Sequence, residues 1–309
     1  MKLPLLVIAG PTGTGKTAAA VALAARLPIE VISADSRQVY RGMDLATGKP
    51  SEAERRAVVH HLIDVVDPDD RYQAARFRSD AAALIADVHG RGHLPVVVGG
   101  TGLYIRALLR GLDPAPPADP AFRAELDEVA AREGAHALHD RLVAAAPEMA
   151  QRLHPNDRVR VVRALELVRA GSPVGAAQVR WRSGDTDYAV LYLGLTMPRP
   201  VLDERLEARA RGMVVGGLAD EVQALLDRGY DPSLSAMRGI GYRQFVDVVT
   251  GRLAVEDATR LMVRDTLRYA RRQWTWFARE HDITWIDALA ERDVAGRIER
   301  MVREEGLTA

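Results

Sequence analysis

The motif Gly10-Pro11-Thr12-Gly13-Thr14-Gly15-Lys16-Thr17 satisfies G-x-x-x-x-G-K-[ST] without a gap. It starts directly after the apolar run Leu3–Ala9 and leads directly into a helical pattern. Between a strand and a helix, such a loop is a polyphosphate site. Its glycines let backbone N–H groups converge on phosphate oxygens, and the helix N-terminus adds its dipole. Lys16 can neutralise the terminal phosphate, and the Thr17 hydroxyl can ligate Mg²⁺.

Further short apolar runs lie at Ile29–Ser33 and Leu94–Val98, and Ala18–Leu27 has helical spacing. Buried strands alternating with helices predict a parallel sheet with right-handed crossovers. Four prolines within Asp113–Pro120 exclude both helix and central strand and read as a stiff linker. Residues 121–170 are helical in pattern, broken at Gly134, Pro147 and the HPND turn of His154–Asp157. After a loose stretch at 171–187, the run Ala189–Leu195 is strand-like again, and from Val201 the pattern is mainly helical. The expected fold is α/β: a P-loop NTPase-like parallel-sheet core formed by residues 1–112 and 189–309, with a helical insertion at 113–188.

P-loop motors and GTPases end a strand with an acid that holds Mg²⁺ and orders the attacking water. Here the run 95–98 leads into Gly99-Gly100-Thr101-Gly102 with no carboxylate, and the acid follows the second strand instead, at Asp35 in VISADSRQVY. A lone carboxylate there suits a base acting on a bound acceptor, a Mg²⁺ partner as in small-molecule kinases, or a helix N-cap.

With 309 residues, 48% hydrophobic and 27% charged, the chain has ample apolar surface to exclude disorder as its whole description. No apolar stretch approaches the roughly 20 residues that span a bilayer. The opening MKLPLLVIAGPTG turns glycine-rich with no small-residue cleavage site, so it reads as a first strand and not a signal peptide. The absence of cysteine excludes disulfides, a thiolate nucleophile and Cys-ligated metal centres, and the cytoplasm is the expected compartment. Basic and acidic residues balance at 42 each, which removes a global pull toward nucleic acid or membrane but leaves room for a local basic face. Among the cations only Lys2, Lys16 and Lys49 are lysine. Arginine suits phosphate and stacks on bases, although a genomic codon bias gives the same count.

Six stretches together resemble the bacterial tRNA dimethylallyltransferases, also called tRNA isopentenyltransferases: GPTGTGKT (Gly10–Thr17), SADSRQVYRGMDLATGKP (Ser33–Pro50), HHLIDVVDP (His60–Pro68), VVVGGTGLYIRALLRGL (Val96–Leu112), HPNDRVRVVRALEL (His154–Leu167) and MRGIGYRQF (Met237–Phe245). The resemblance covers most of the chain in one order. It implies a P-loop core with an inserted helical domain, and transfer of a dimethylallyl group from its diphosphate to N6 of the adenosine 3′ of the anticodon. By the same resemblance Thr12–Thr17 hold the donor's diphosphate, so the loop serves a leaving group and not a nucleotide. Asp35 is the general base, and Ser36, Arg37 and Gln38 touch the target adenosine and its neighbours. Thr101, Arg123 and the segment Val159, Arg160, Val161, Val162 and Arg163 contact tRNA. Arg209 is the diphosphate-binding arginine, with Arg205 and Arg211 as near alternatives. The family commonly has Gln before an Arg-Leu pair after HPND, where this chain reads Arg158-Val159-Arg160-Val161. The implied partners are the tRNA anticodon stem-loop, dimethylallyl diphosphate and Mg²⁺, with no membrane, and a monomer working on one tRNA.

An exocyclic amine is a poor nucleophile, so the rate must come from stabilising the departing diphosphate and from positioning. A target base must also leave its stack to reach such a pocket. The stretch RDTLRYARRQWTWFAR (Arg264–Arg279) interleaves five arginines with Tyr269, Trp274, Trp276 and Phe277. That mixture suits RNA contact through Arg271 or Arg272, with part of the aromatics turned into the core. Adjacent His60 and His61 face opposite sides of a strand, which favours a structural role over metal chelation. Gly239 and Gly241 read as a tight turn or a close backbone approach. A small-molecule kinase, a prenyltransferase of free adenine nucleotides and a non-catalytic RNA-binding protein are the competing readings. The long insertion opposes the first two, and intact Lys16, Thr17 and Asp35 oppose the third.

Overall fold

The computed structural model describes residues 2–112, 116, 118–134, 136–172 and 186–307. Parts of the expected linker at 113–120 and most of the stretch at 171–187 lie outside the described residues. The chain divides into two compact units, one of residues 1–109 with 186–309 and one of residues 110–185.

The first unit begins β1 (Leu3–Ala9), α1 (Lys16–Ala24), β2 (Ile29–Ser33), α2 (Glu52–Ala57), β3 (His60–His61), α3 (Ala74–Gly90), β4 (Leu94–Gly99) and α4 (Gly102–Arg110). The helices α5 (Pro120–Glu133), α6 (His136–Ala145), α7 (Pro147–Ala150) and α8 (Arg158–Arg169) belong to the second unit. The chain continues in the first with β5 (Tyr188–Thr196), α9 (Arg199–Val215), α10 (Leu218–Asp227), α11 (Tyr242–Val249), α12 (Val255–Phe277), β6 (Thr284–Asp287) and α13 (Val294–Glu304). Among the described residues the six strands form one all-parallel sheet in the order β3-β2-β4-β1-β5-β6.

Strands buried on both faces must be apolar throughout, and β1 and β4 are. Alternate side chains of β1 serve opposite faces: Leu5, Val7 and Ala9 join one core with Phe77, Tyr104 and Phe277. Leu6 and Ile8 join another with Leu23 of α1 and Ile298 and Val302 of α13. Helix α1 starts two residues earlier than its apolar spacing predicts, because Lys16 and Thr17 of the loop already form its first turn. The four-residue β6 falls where a helical pattern is expected; its burial is only partial, and its register is set by pairing with β5.

The second unit has its own core, with Leu126, Leu138, Leu142, Val161 and Leu165 buried. Asp119 and Asp157 cap α5 and α8, accepting from the backbone N–H of Phe122 at 3.0 Å and of Arg160 at 3.3 Å.

Glu30, 3% exposed at the start of β2, anchors the amino edge of the first unit's sheet. Arg91 donates to both its oxygens at 2.8 and 2.7 Å, and ring nitrogens of His61 and His93 lie at 2.6 and 2.9 Å. These partners, Arg91 first, outweigh burial and lower the Glu30 pKa from 4.5 to about 2. A folded-state value below the unfolded one stabilises fully above pH 4.5, and that stabilisation is lost as pH falls toward 2. Glu30→Gln should therefore lower the unfolding free energy by about 3 kcal/mol at pH 7. In urea titrations the gap from wild type should narrow as pH drops from 4.5 to 3; a gap constant with pH would refute this account.

Candidate active site

The loop after β1 turns at Gly10, whose φ of 137° and whose closeness to β5 both demand glycine; a Cβ there would lie 2.4 Å from the Leu195 carbonyl oxygen. Inside the loop the Pro11 carbonyl accepts from Thr14 Oγ1 at 2.9 Å and from Lys16 Nζ at 2.8 Å. Burial lowers the Lys16 pKa to about 8, opposed by the charge of Asp35 and reinforced by that of Arg209.

Beyond β2, the Asp35 carboxylate accepts from the backbone N–H of Arg37 at 2.8 Å and of Gln38 at 3.3 Å. These bonds close a turn at residues 36–39 with no helix after it, so Asp35 is not a helix N-cap, and it lines the same cavity as the loop. Thr101, after β4, accepts from Ser36 N at 3.1 Å. Gln38 accepts from Ser33 Oγ at 3.0 Å and donates to the Gly48 carbonyl at 3.1 Å. Arg37 donates to the Ser235 carbonyl at 2.7 Å.

Helix α9 brings in Arg209, which donates to Thr12 Oγ1 at 3.3 Å and to the Gly48 carbonyl at 3.5 Å. Burial lowers its pKa. Of the three candidate arginines, Arg205 also lines the cavity, whereas Arg211 pairs with Glu207 at 2.8 Å on the exposed side of α9. A Cβ on Gly48, at φ 59°, would sit 1.7 Å from an Arg209 nitrogen, so this glycine sets where the guanidinium rests.

The cavity measures about 560 Å³, within the range of small-ligand sites. Thr12, Gly13, Gly15, Lys16 and Thr17 line it on one side and Asp35, Ser36, Arg37 and Gln38 on another. Tyr269, Arg272 and Gln273 of α12 line it as well, with Arg238 and Tyr242. Several of these escape sequence reasoning. His60 is one: it lines the cavity, and its Nε2 is buried with no hydrogen-bond partner among the described residues. Its neighbour His61 takes the expected structural role on Glu30. In the arginine-aromatic stretch, Phe277 is fully buried and Trp274 is 44% exposed beside Trp285, while Arg272 faces the cavity. Arg271 lies 3.8 Å from Asp203.

In the second unit, Arg123 donates to Glu166 at 2.7 and 3.0 Å and Arg163 does so at 2.9 Å. Glu166 is 4% exposed, and these partners, together with the Asp119 N–H, lower its pKa to about 2 against the opposing effect of burial. Within the expected tRNA-contacting segment, the Val161 and Val162 side chains are 1% and 9% exposed and lie in the unit's core. Val159, at 82% exposure, and the exposed Arg160 are the members of that segment with surface to offer.

A parallel α/β sheet whose P-loop opens into a cavity shared with a carboxylate defines a group-transfer protein of the P-loop class. The profile of the IPP transferase family matches residues 38–280, and an isopentenyl transferase profile matches residues 3–64. The chain belongs to the IPP transferase family. It is 47% identical over 287 residues to a tRNA dimethylallyltransferase 2 of Geotalea uraniireducens, covering 93% of each chain. A crystal structure of the tRNA isopentenylpyrophosphate transferase of Bacillus halodurans matches with TM-score 0.72 and 39% identity, over 99% of this chain and 98% of that one. A eukaryotic dimethylallyltransferase captured acting on tRNA matches with TM-score 0.78 and 27% identity, over 97% of this chain and 78% of that one.

Two outcomes follow from the geometry. Gly48→Ala should displace Arg209 and weaken pyrophosphate binding about tenfold in calorimetry; unchanged affinity would remove Arg209 from the site. Because Lys16 is cationic only below a pKa of about 8, pyrophosphate affinity of the free protein should fall as pH rises through 8, and Lys16→Met should flatten that dependence.

Proposed function

We propose that this protein transfers the dimethylallyl group of dimethylallyl diphosphate to N6 of the adenosine 3′ of the anticodon in tRNA, releasing diphosphate. The observation that carries the reading is the sharing of one cavity by the phosphate loop and Asp35. A leaving diphosphate and an acceptor's proton can then be handled on opposite sides of one reacting carbon.

The N6 lone pair forms the new bond to the prenyl C1 as the C1–O bond breaks, and that electron pair departs on the diphosphate. Lys16, Arg209 and the loop amides stabilise the charge that develops there. The N6 proton passes to the Asp35 carboxylate, which is basic enough when proton loss accompanies or follows bond formation. The apolar part of the wall, with Met213, Ile240 and Met262, suits the prenyl chain.

Mg²⁺ fits this donor set. Among the described residues no cluster of three or more His, Asp or Glu side chains forms a cage, and Mg²⁺ commonly uses one or two protein ligands plus phosphate oxygens. Thr17, lining the cavity beside Lys16, would hold it, and the ion would supply further positive charge to the diphosphate. On the tRNA side we assign Ser36, Arg37, Gln38 and Thr101 to the target adenosine and its neighbours. The insertion, with Val159 and Arg160 exposed and with Arg123 and Arg163 held on Glu166, is assigned to the anticodon stem-loop. We take the enzyme as cytoplasmic, where tRNA is met, and as a monomer on one tRNA. No described helix is long and apolar enough to cross a membrane.

The test is a labelled-donor assay with unmodified tRNA, with AMP, and with ATP replacing the donor. Label on one adenosine of tRNA and not on AMP is the expected result. Label on AMP alone, or ATP turnover without prenyl transfer, would overturn the reading. Asp35→Ala should lower turnover by about 10²–10⁴-fold with tRNA affinity nearly unchanged; a loss confined to tRNA affinity would remove Asp35 as the base.

A further inference from the structure

Gln273 of α12 is 6% exposed and both ends of its amide are engaged. Its Oε1 accepts from the backbone N–H of Thr12 at 2.8 Å, and its Nε2 donates to the Gly100 carbonyl at 2.8 Å. A Cβ on Gly100 would fall 2.1 Å from that Nε2, so the amide reaches this carbonyl only past a glycine. The next residue, Thr101, continues the connection: its N–H donates to the Ala34 carbonyl at 3.2 Å and its hydroxyl accepts from Ser36 N at 3.1 Å. Asp35 lies between those two points.

We infer that Gln273 is a positioning residue that ties the donor's phosphate loop to the Gly100–Thr101 strand end, and so sets the separation between the departing diphosphate and Asp35. The inference rests on the transferase reading above. Strands β1 and β4 are paired up to Ala9 and Gly99, but beyond those residues the two loops have separate courses. One side chain, anchored in a long helix, spans the gap and satisfies a buried donor and a buried acceptor at once. Donor affinity comes mainly from Lys16, Arg209 and the loop amides beyond Thr12, whereas the Thr12 N–H is turned to Gln273. The tie matters when both reactants must meet in line, a stage at which a misplacement of about 1 Å can cost a hundredfold in rate.

The experiment compares wild type, Gln273→Met, Gly100→Ala and the double variant. It measures single-turnover prenyl transfer, pyrophosphate and tRNA affinity, thermal midpoint and amide hydrogen exchange. Gln273→Met keeps the side-chain volume, and its transfer rate should fall about ten- to a hundredfold, with both affinities within about threefold of wild type and a midpoint lowered by only a few degrees. Exchange should quicken together at residues 11–13 and 99–102. Gly100→Ala should reproduce the rate loss, and the double variant should be no slower than the worse single one. An unchanged rate, a rate loss matched by an equal loss of pyrophosphate affinity, a collapsed midpoint or additive losses would each overturn the positioning role. Wild-type protein inert toward tRNA would instead overturn the transferase reading, and the coupled exchange at the two loops would then decide whether the tie exists.

Discussion

Positive charge desolvated at the carboxyl edge of a parallel sheet, and only partly offset by Asp35, is the constraint on which the site depends. Lys16 and Arg209 both face a cavity in which Asp35 is the carboxylate that acts on both, and burial depresses both cations. Their hydrogen bonds go to the Pro11 and Gly48 carbonyls and the Thr12 hydroxyl, all neutral acceptors. A diphosphate entering this space replaces weak acceptors with charged ones, and charge-assisted hydrogen bonds are roughly twice as strong as neutral ones. The sheet makes this possible because its parallel strands all end on one side, where helix N-termini and loop amides already favour an anion.

The same edge explains why a carboxylate after β2 and not after β4 changes the chemistry. An acid at the end of β4 would stand near the loop and serve a metal or a water. At Asp35 the carboxylate is held by its own turn, through the N–H groups of Arg37 and Gln38, and shares the cavity with residues from α9, α11 and α12. It faces the cavity, and the glycines after β4 are closely packed, since a Cβ on Gly100 or Gly102 would meet Gln273 or Trp276 at 2.1 Å.

What could be read from the sequence was what is local along the chain. The phosphate loop, β1, β2, β4 and the Asp35 turn each occupy one contiguous segment whose residue types declare their role. Gln273 looks like any polar residue in a helix until its partners, Thr12 and Gly100, are known, and they lie 261 and 173 positions away. Gly48 matters because Arg209, on a distant helix, rests against it. The strand β6 has only four residues, of which Ile286 alone is buried, and no periodicity long enough to register. Arg123 and Arg163 have the residue type of RNA contacts, and their pairing with Glu166 depends on how α5 and α8 pack.

Arginine abundance, ambiguous in composition, becomes informative once each arginine is matched to its partner. Arg91 is committed to the buried Glu30, and Arg123 and Arg163 to the buried Glu166. These pairs neutralise interior carboxylates, and removing the arginines would leave a buried charge uncompensated. Around the cavity the pattern reverses. Arg243 pairs with Asp265, but Arg205, Arg209, Arg238 and Arg272 have no carboxylate within salt-bridge distance among the described residues. Arg205, Arg238 and Arg272 are exposed, whereas Arg209 is partly buried and its desolvation is offset only in part by Asp35 and Glu54, so an anion that binds there stabilises the protein. A donor diphosphate is an anion of that kind, and on the proposed reading it would meet its acceptor in this same cavity.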